Sequence, residues 1–291
     1  MPDSNILLKD ILLKYEGIDA HQHFWKFDPV RDSWITDEMS VIRRDFGPAD
    51  LLPLLEANGM EGSVIVQSDQ SEEENVFQLE NAEKFDFVKG VVGWVDLRSP
   101  AVNERLAYYR QFEKLKGFRH VLQGEKDRAL MLTPDFKRGI GALKPYGYTY
   151  DILIYHDQLR YIPELAAAFP DQPFVIDHIA KPFIRTGQYL DEWKKDMKAA
   201  ASHENVFCKI SGMVTEADWQ HWKKEDFKPY LDTVVEAFGT RRILYGSDWP
   251  VCLVAASYAR MIHLVRDYFA SFSKPEQAAF FGGNATTFYN L

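Results

Sequence analysis

The 291-residue sequence contains only two cysteines, Cys208 and Cys252, which excludes a disulfide framework and favours a reducing compartment. No apolar run approaches the roughly 18 residues that a membrane span requires, so a membrane partner is not expected. Positive charge is also in deficit, since 34 Lys and Arg stand against 43 Asp and Glu, for a formal net charge of −9. Because nucleic-acid binding needs a basic surface, DNA and RNA are not expected as partners.

Low-complexity tracts, long linkers and a strong internal repeat are absent, which predicts a single domain over residues 1–291. The apolar N-terminal stretch is interrupted by Lys9, Asp10 and Lys14, so it does not resemble a secretory signal, and a cytoplasmic location is expected. What is present, 46% hydrophobic and 26% charged residues, is typical of a soluble globular protein. A small organic molecule is the expected partner.

Short apolar runs alternate with longer amphipathic stretches about eight times over roughly 250 residues. Several runs are continuous and β-branched, which is typical of parallel strands buried on both faces. A doubly wound open sheet is the alternative, but no Gly-rich phosphate loop follows any run. The pattern therefore predicts an α/β fold with one (β/α)₈ TIM barrel. The predicted strands are 16–24, 62–67, 87–95, 116–122, 150–155, 173–177, 206–210 and 242–245.

Helix boundaries are visible between these runs. One helix is predicted from Pro48 to Gly59, and another with Thr133 as N-cap and Pro134 in the first helical position. A third is predicted over 157–169, ending before a proline. The last is predicted to open at Ser273 and to end at 282–283, a pair of glycines.

Strand ends are where a barrel of this type builds its active site. The first strand ends in His21-Gln22-His23, and residues two apart on a strand point to the same side. The eighth strand is followed by Asp248, which closure of the barrel places next to the first strand. Two imidazoles and one carboxylate form a metal-binding set, and an aspartate can also act as the base for a water molecule. The alternatives are core histidines satisfied by hydrogen bonds and an aspartate that caps the next segment.

Other polar residues follow the middle strands. His178 follows the sixth strand and is predicted to act as a proton carrier or an electrophile, unless Asp177 holds it in a structural role. His156 follows the fifth strand. Arg119 and His120 are adjacent in the fourth, so at most one of them faces the interior.

Tryptophans lie near the predicted loops at the barrel mouth. Trp25, with Trp34 and Trp249, is positioned to stack on the C–H faces of a sugar ring. The alternative is that these side chains only fill the end of the barrel.

With these residues in place, the sequence resembles the amidohydrolase superfamily, specifically the amidohydrolase-related group that contains sugar lactonases. The resemblance spans nearly the whole chain and is specific at the strand ends. Its motifs include Ile18-Asp19-Ala20-His21-Gln22-His23-Phe24-Trp25, Gly117-Phe118-Arg119-His120-Val121-Leu122-Gln123, Asp177-His178-Ile179-Ala180-Lys181-Pro182, Lys209-Ile210-Ser211-Gly212-Met213, Leu244-Tyr245-Gly246-Ser247-Asp248-Trp249-Pro250 and Gly282-Gly283-Asn284-Ala285.

The resemblance implies a distorted (β/α)₈ barrel that opens the ester ring of a sugar lactone. It implies Asp248 and His178 as catalytic residues and His21, His23, His156 and Asp248 as metal ligands, with one divalent ion, zinc above all, as the cofactor. Trp25, Arg119 and His120 are expected to bind substrate. The fourth strand offers no lysine to bridge two metals, which favours one ion or metal-free catalysis.

A decarboxylase acting on an aromatic or unsaturated acid is the alternative enzyme on the same barrel. It would need a cationic clamp for the substrate carboxylate, for which Arg119, Lys181 and Lys209 are the candidates. A non-catalytic sugar-binding barrel is a third hypothesis. It gives no function to His21, His23 and His178 at the strand ends.

Overall fold

The computed structural model describes residues 17–291, and eight parallel strands form one sheet in the sequence order β1 to β8. All eight predicted strands are present, and the predicted barrel is confirmed. The first 16 residues, including Glu16 of the first predicted strand, lie outside the described residues. The strands are β1 Ile18–Gln22, β2 Gly62–Val66, β3 Val88–Gly93, β4 Leu115–Val121, β5 Thr149–Leu153, β6 Phe174–Ile176, β7 Val206–Ile210 and β8 Ile243–Tyr245.

Helices surround the strands and bury their outer faces. Among the described residues, none is both long and apolar enough to cross a membrane. The α-helices are α1 Pro48–Ala57, α2 Glu72–Lys84, α3 Val102–Tyr109, α4 Pro134–Leu143, α5 Ile162–Ala168, α6 Leu190–Ala201, α7 Lys224–Phe238, α8 Tyr258–Phe269, α9 Lys274–Ala278 and α10 Asn284–Tyr289.

The predicted helix ends are partly correct. The first helix begins at Pro48 as predicted, and Gly59 beyond its end has a φ of +63°. Thr133 precedes α4, but its hydroxyl donates to the Leu130 carbonyl instead of accepting from the helix. The stretch predicted as one helix over 157–169 begins as a 3₁₀ turn, His156–Tyr161.

The glycine pair predicted to end the last helix does not end it. The chain passes through the π-helical turn Ala279–Gly283 and continues as α10. Gly283 has a φ of −56°, an ordinary helical value. A glycine ends a helix by adopting a left-handed conformation, so glycines with helical dihedrals let the segment continue.

Closure of the barrel is made just beyond β8. The backbone N–H of Asp248 donates to the His21 carbonyl at 2.8 Å, and that of His23 donates to the Trp249 carbonyl at 2.7 Å. These bonds place the residues after β8 beside β1, as closure of the cylinder predicts.

A β-bulge in β1 changes which of its residues face the interior. Three steps from Asp19 to Gln22 match only two steps on β2, from Ser63 to Ile65. Ala20 packs in the apolar cluster inside the barrel, and the next residue, His21, also reaches interior side chains. Regular alternation, on which the sequence prediction relied, is therefore broken at His21, but the imidazole still points inward.

Candidate active site

Three histidine rings surround one carboxylate oxygen at the end of the barrel where the strands terminate. Oδ1 of Asp248 lies 3.4 Å from Nε2 of His23, 3.8 Å from Nε2 of His178 and 3.9 Å from Nε2 of His21. Each of the four residues is 5% exposed or less. The structure thus brings together the two histidines after β1, the histidine after β6 and the aspartate after β8.

The hydrogen bonds of His23 determine what its ring presents to the carboxylate. Nδ1 lies 2.7 Å from the carbonyl oxygen of Val66, which can only accept, so Nδ1 carries a proton. A neutral His23 therefore directs the lone pair of Nε2 at Asp248, and two acceptors then face each other at 3.4 Å. A proton on Nε2 or a cation between the two atoms removes this repulsion.

His178 is held by unusual backbone geometry. Its Nδ1 lies 2.9 Å from the hydroxyl of Ser211, not on Asp177 as the structural alternative for this histidine required. It is the first of four consecutive residues, 178–181, with φ between +47° and +58°. Such left-handed residues cost roughly 1–2 kcal/mol each unless they are glycine. Burial lowers the pKa of His178 well below its usual value, so the ring is neutral at pH 7.

Gly212 allows the His178 ring to lie where it does. A Cβ at this position would lie 2.6 Å from Nδ1 of His178 and 3.1 Å from Oδ2 of Asp248. Its φ of +61° is also one that glycine adopts without strain. A glycine is therefore required on both steric and conformational grounds.

Behind the imidazoles, a buried ionic network anchors His21. Nδ1 of His21 lies 3.2 Å from Oδ1 of Asp177, whose other oxygen accepts from Arg119 at 3.0 Å. The Lys209 ammonium lies 3.0 Å from Asp177 and also donates to Asp151. Burial by itself raises the pKa of Asp177, but Lys209, His21 and Arg119 together hold it well below its usual value. Asp177 is consequently ionised and fixes the orientation of the His21 ring.

Asp248 also stays ionised despite its burial. Burial acts to raise the pKa of this carboxyl, but His178, His23 and Lys181 lower it further than burial raises it. The net effect is a pKa below the usual value for aspartate. A charged, buried carboxylate at a barrel mouth can accept a proton or hold a cation.

The donor set fits a divalent metal ion. Ligand atoms of His21, His178 and Asp248 lie within 4.8 Å of one another. Imidazole nitrogen and carboxylate oxygen are ligands that zinc takes in proteins. The contacts of His23 Nδ1 with a carbonyl and of His21 Nδ1 with a carboxylate are typical of the hydrogen bonds that orient metal-binding histidines.

A second set of ligand atoms, from His21, Asp151 and Asp177, is also within 4.8 Å. Here the Lys209 ammonium already lies among them, 3.1 Å from Nδ1 of His21. Lys209 therefore supplies positive charge at this second set of ligand atoms.

His21, His23, His178 and Asp248 are called the imidazole cluster below. The remaining predicted site residues lie outside it. His156 packs against Phe183 and Tyr189, with ring centroids 4.6 and 5.4 Å away, so the structure gives no support to it as a metal ligand. His120 faces away from the interior, with Nε2 2.9 Å from Glu125 and its ring against Phe136. Of the adjacent pair in β4, it is Arg119 that faces inward, 3.4 Å from Nε2 of His21.

Trp25 is enclosed by other aromatic rings. It is 2% exposed, its indole N–H donates to the Arg44 carbonyl, and its ring meets the edges of Trp34 and Phe46. Trp249 is 1% exposed. These contacts match the alternative that the tryptophans fill the end of the barrel, whereas Trp34 remains 43% exposed.

Sequence reasoning missed Asp151, a member of the ionic network, and Ser211, the hydrogen-bond partner of His178. The signal for Asp151 was present, because it is a charged residue inside an apolar strand run, as is Lys209, which had been considered only as a clamp for a carboxylic acid. A buried charge in a strand needs an opposite charge beside it. Which opposite charge lies beside Asp151, however, depends on the register of β5, β6 and β7.

Comparison with known proteins places the chain among amidohydrolases. The family model described as amidohydrolase matches residues 18–291. The L-fucono-1,5-lactonase of Burkholderia multivorans is 39% identical over 284 residues, which are 94% of this chain and 96% of the relative. The L-fucono-1,5-lactonase of Burkholderia ambifaria is 36% identical over 278 residues, 94% of this chain and 95% of the relative.

A solved structure shows the same architecture. The crystal structure of an amidohydrolase from Burkholderia multivorans with bound zinc is similar with a TM-score of 0.91 and 39% identity. The match covers 94% of this chain and 99% of the other.

Proposed function

Because the chain belongs to the amidohydrolase family, we propose that it hydrolyses the ester ring of a sugar lactone, with a six-membered 1,5-lactone as the substrate and the aldonic acid as the product. The two lactonases with which it shares 36–39% identity support this choice of reaction. The observation that carries the proposal is the buried, ionised Asp248 with three imidazole nitrogens within 3.9 Å of one of its oxygens.

Asp248 acts as the base in this mechanism. It accepts a proton from a water molecule, whose oxygen attacks the lactone carbonyl carbon, and the ring C–O bond then breaks. The ring oxygen leaves as a hydroxyl group after taking up a proton, which Asp248 returns. Neutral His178, fixed by Ser211, lies beside this carboxylate and contributes to its orientation.

Arg119 contributes from behind the site. Its guanidinium donates to Asp177 and faces Nε2 of His21, so it positions the His21 ring and adds positive charge near the developing oxyanion. In this mechanism Arg119 acts through His21 and Asp177, whereas the sequence predicted that it binds the substrate.

The cluster fits one divalent cation, for which we propose zinc as the metal and His21, His178 and Asp248 as ligands. We add His23 to this set because its Nε2 lies 3.4 Å from Oδ1 of Asp248. A bound ion of this kind lowers the pKa of its water and polarises a carbonyl oxygen. His156 has no place in this set because of its contacts with Phe183 and Tyr189.

The geometry leaves the decarboxylase alternative only one of its three candidate clamps for a substrate carboxylate. Two of the three cations that could clamp a substrate carboxylate are already paired and buried: Arg119 with Asp177, and Lys209 with Asp151 and Asp177. Lys181 alone is left for that role.

A panel of lactones tests the proposal. Purified protein is assayed by continuous titration of released acid with five- and six-membered sugar lactones, and carbon dioxide is measured in parallel with aromatic acids. We expect acid release from a six-membered sugar lactone and no carbon dioxide. Release of carbon dioxide, or no turnover of any lactone, would refute the assignment.

The same assay tests the metal. Protein stripped with chelator and reloaded is expected to bind one equivalent of zinc, measured by elemental analysis, and to regain its activity in parallel. Full activity in the stripped protein would instead assign the imidazoles to hydrogen bonding alone.

A further inference from the structure

Two side chains of opposite charge lie at the barrel mouth without a partner. Lys181 follows β6 and Glu216 follows β7. Among residues 17–291, neither the Lys181 ammonium nor the Glu216 carboxylate makes a hydrogen bond or an ion pair. By contrast, the interior cations Arg119 and Lys209 are both bonded to carboxylates.

The backbone holds both residues firmly beside the imidazole cluster. Lys181 ends the left-handed run that begins at His178, and its N–H donates to the His178 carbonyl at 2.8 Å. The turn Met213–Glu216 starts directly after Gly212, the residue packed against His178 and Asp248. At its far end, the Glu216 carbonyl accepts from the N–H of Arg185 at 2.9 Å, which ties this turn to the loop after β6.

Lys181 and Glu216 interact electrostatically with each other and with Asp248. Burial raises the pKa of Glu216, Lys181 lowers it, and the charge on Asp248 raises it again. Lys181 in turn lowers the pKa of Asp248. Lys181 and Glu216 attract each other but form no ion pair among the described residues, so both charged groups are available to bind a polar molecule close to Asp248.

An exposed aromatic ring lies close to Lys181. The Lys181 ammonium lies 5.9 Å from the centre of the Tyr155 ring, and Tyr155 is 41% exposed. A half-buried carboxylate without a donor is costly, and a ligand that brings hydroxyl groups removes that cost.

We infer that Glu216 and Lys181 are specificity-determining residues that bind the hydroxyl groups of the substrate, with Glu216 accepting hydrogen bonds from them and Lys181 donating to their oxygens. This inference rests on the proposed lactone hydrolysis and deepens it, because it selects polyhydroxylated lactones over plain ones. Neither residue is assigned a part in the chemical step.

Two lactones of the same ring size test the inference. The parent, Glu216→Gln and Lys181→Met are compared on a six-membered sugar lactone and on δ-valerolactone, which has the same ring without hydroxyl groups. A hydrogen bond between a substrate hydroxyl and a charged group is worth about tenfold to a hundredfold in kcat/KM. We expect each variant to lose that factor on the sugar lactone, mainly through KM. Glu216→Gln is expected to retain its kcat/KM on valerolactone. Lys181→Met also removes a charge that lowers the pKa of Asp248, so it is expected to lose less on valerolactone than on the sugar lactone.

Glu192→Gln, at an exposed position on α6, serves as the matched control and is expected to behave as the parent. Thermal unfolding of all variants reports on folding, and Glu216→Asp provides a second carboxylate variant that keeps the charge and shortens the side chain. Equal losses on both lactones, or no loss on either by Glu216→Gln, would overturn the inference while the proposed function stands. A parent that hydrolyses neither lactone would overturn the proposed function itself.

Discussion

Oδ1 of Asp248 is surrounded by the Nε2 atoms of three histidines. In a neutral imidazole, such a nitrogen carries either a lone pair or a proton, depending on the tautomer. His23 illustrates the consequence, because the Val66 carbonyl fixes its proton on Nδ1 and leaves Nε2 facing the carboxylate. A proton or a cation between these atoms stabilises the arrangement. The chemistry of the site is therefore defined by which residue fixes each imidazole tautomer, as much as by the imidazoles themselves.

Substitution of Gly212 tests whether catalysis depends on the position of the His178 ring. Gly212→Ala places a methyl group 2.6 Å from the His178 ring and also strains a backbone with φ of +61°. Displacement of a catalytic group by about 1 Å can cost about a hundredfold in rate, so a loss of this size in kcat is expected on the lactone substrate. Steady-state kinetics and thermal unfolding measure the two effects.

Gly187→Ala is the matched control for that substitution. Its φ of +66° imposes a similar strain, but a Cβ there has nothing within 4 Å. It is expected to lose some stability, about 1 kcal/mol, and no activity. If Gly212→Ala also kept the parent kcat, contact with His178 would have no part in catalysis.

At the scale of elements, the loops after the strands carry strain that the barrel supports. The left-handed run 178–181 places both His178 and Lys181, and it lies over Gly212 from the neighbouring loop. The helix α10 supports the other side of the ionic network, since the Tyr289 hydroxyl donates to Asp151 at 2.8 Å inside the barrel. A terminal helix thus reaches the same charges that orient His21.

The contribution of α10 can be measured with Tyr289→Phe. The variant leaves the buried Asp151 carboxylate without one donor, which is expected to lower the free energy of unfolding by about 1.5–3 kcal/mol. Tyr268→Phe removes a comparable bond to Asp232 at the surface and is expected to change stability by less than about 0.5 kcal/mol. Urea denaturation compares the two, and equal effects would mean that the network does not depend on α10.

For the whole molecule, the barrel and the meeting of β1 with the segment after β8 were predictable from sequence. The β-branched runs predicted the strands, and closure followed from their number. What depends on atomic packing was not predictable, namely the bulge in β1, the outward direction of His120 and the enclosure of Trp25. Those depend on register and on neighbours far apart in the chain.

The position of His156 was not predictable from the sequence for the same reason. The sequence places it after β5 as it places His178 after β6, yet only the second enters the imidazole cluster. The difference comes from the backbone, because residues 178–181 turn left-handed whereas His156 begins a 3₁₀ turn and packs on Phe183. Sequence pattern alone does not encode that difference.

Asp248→Asn tests whether the Asp248 carboxylate activates the water that opens the lactone ring. The kcat of the variant on a six-membered sugar lactone is expected to fall by about 10²–10⁴-fold, with the circular dichroism spectrum of the parent retained. Asp171→Asn, at an exposed position, is expected to keep full activity. A folded Asp248→Asn variant with the kcat of the parent would show that Asp248 does not activate the water.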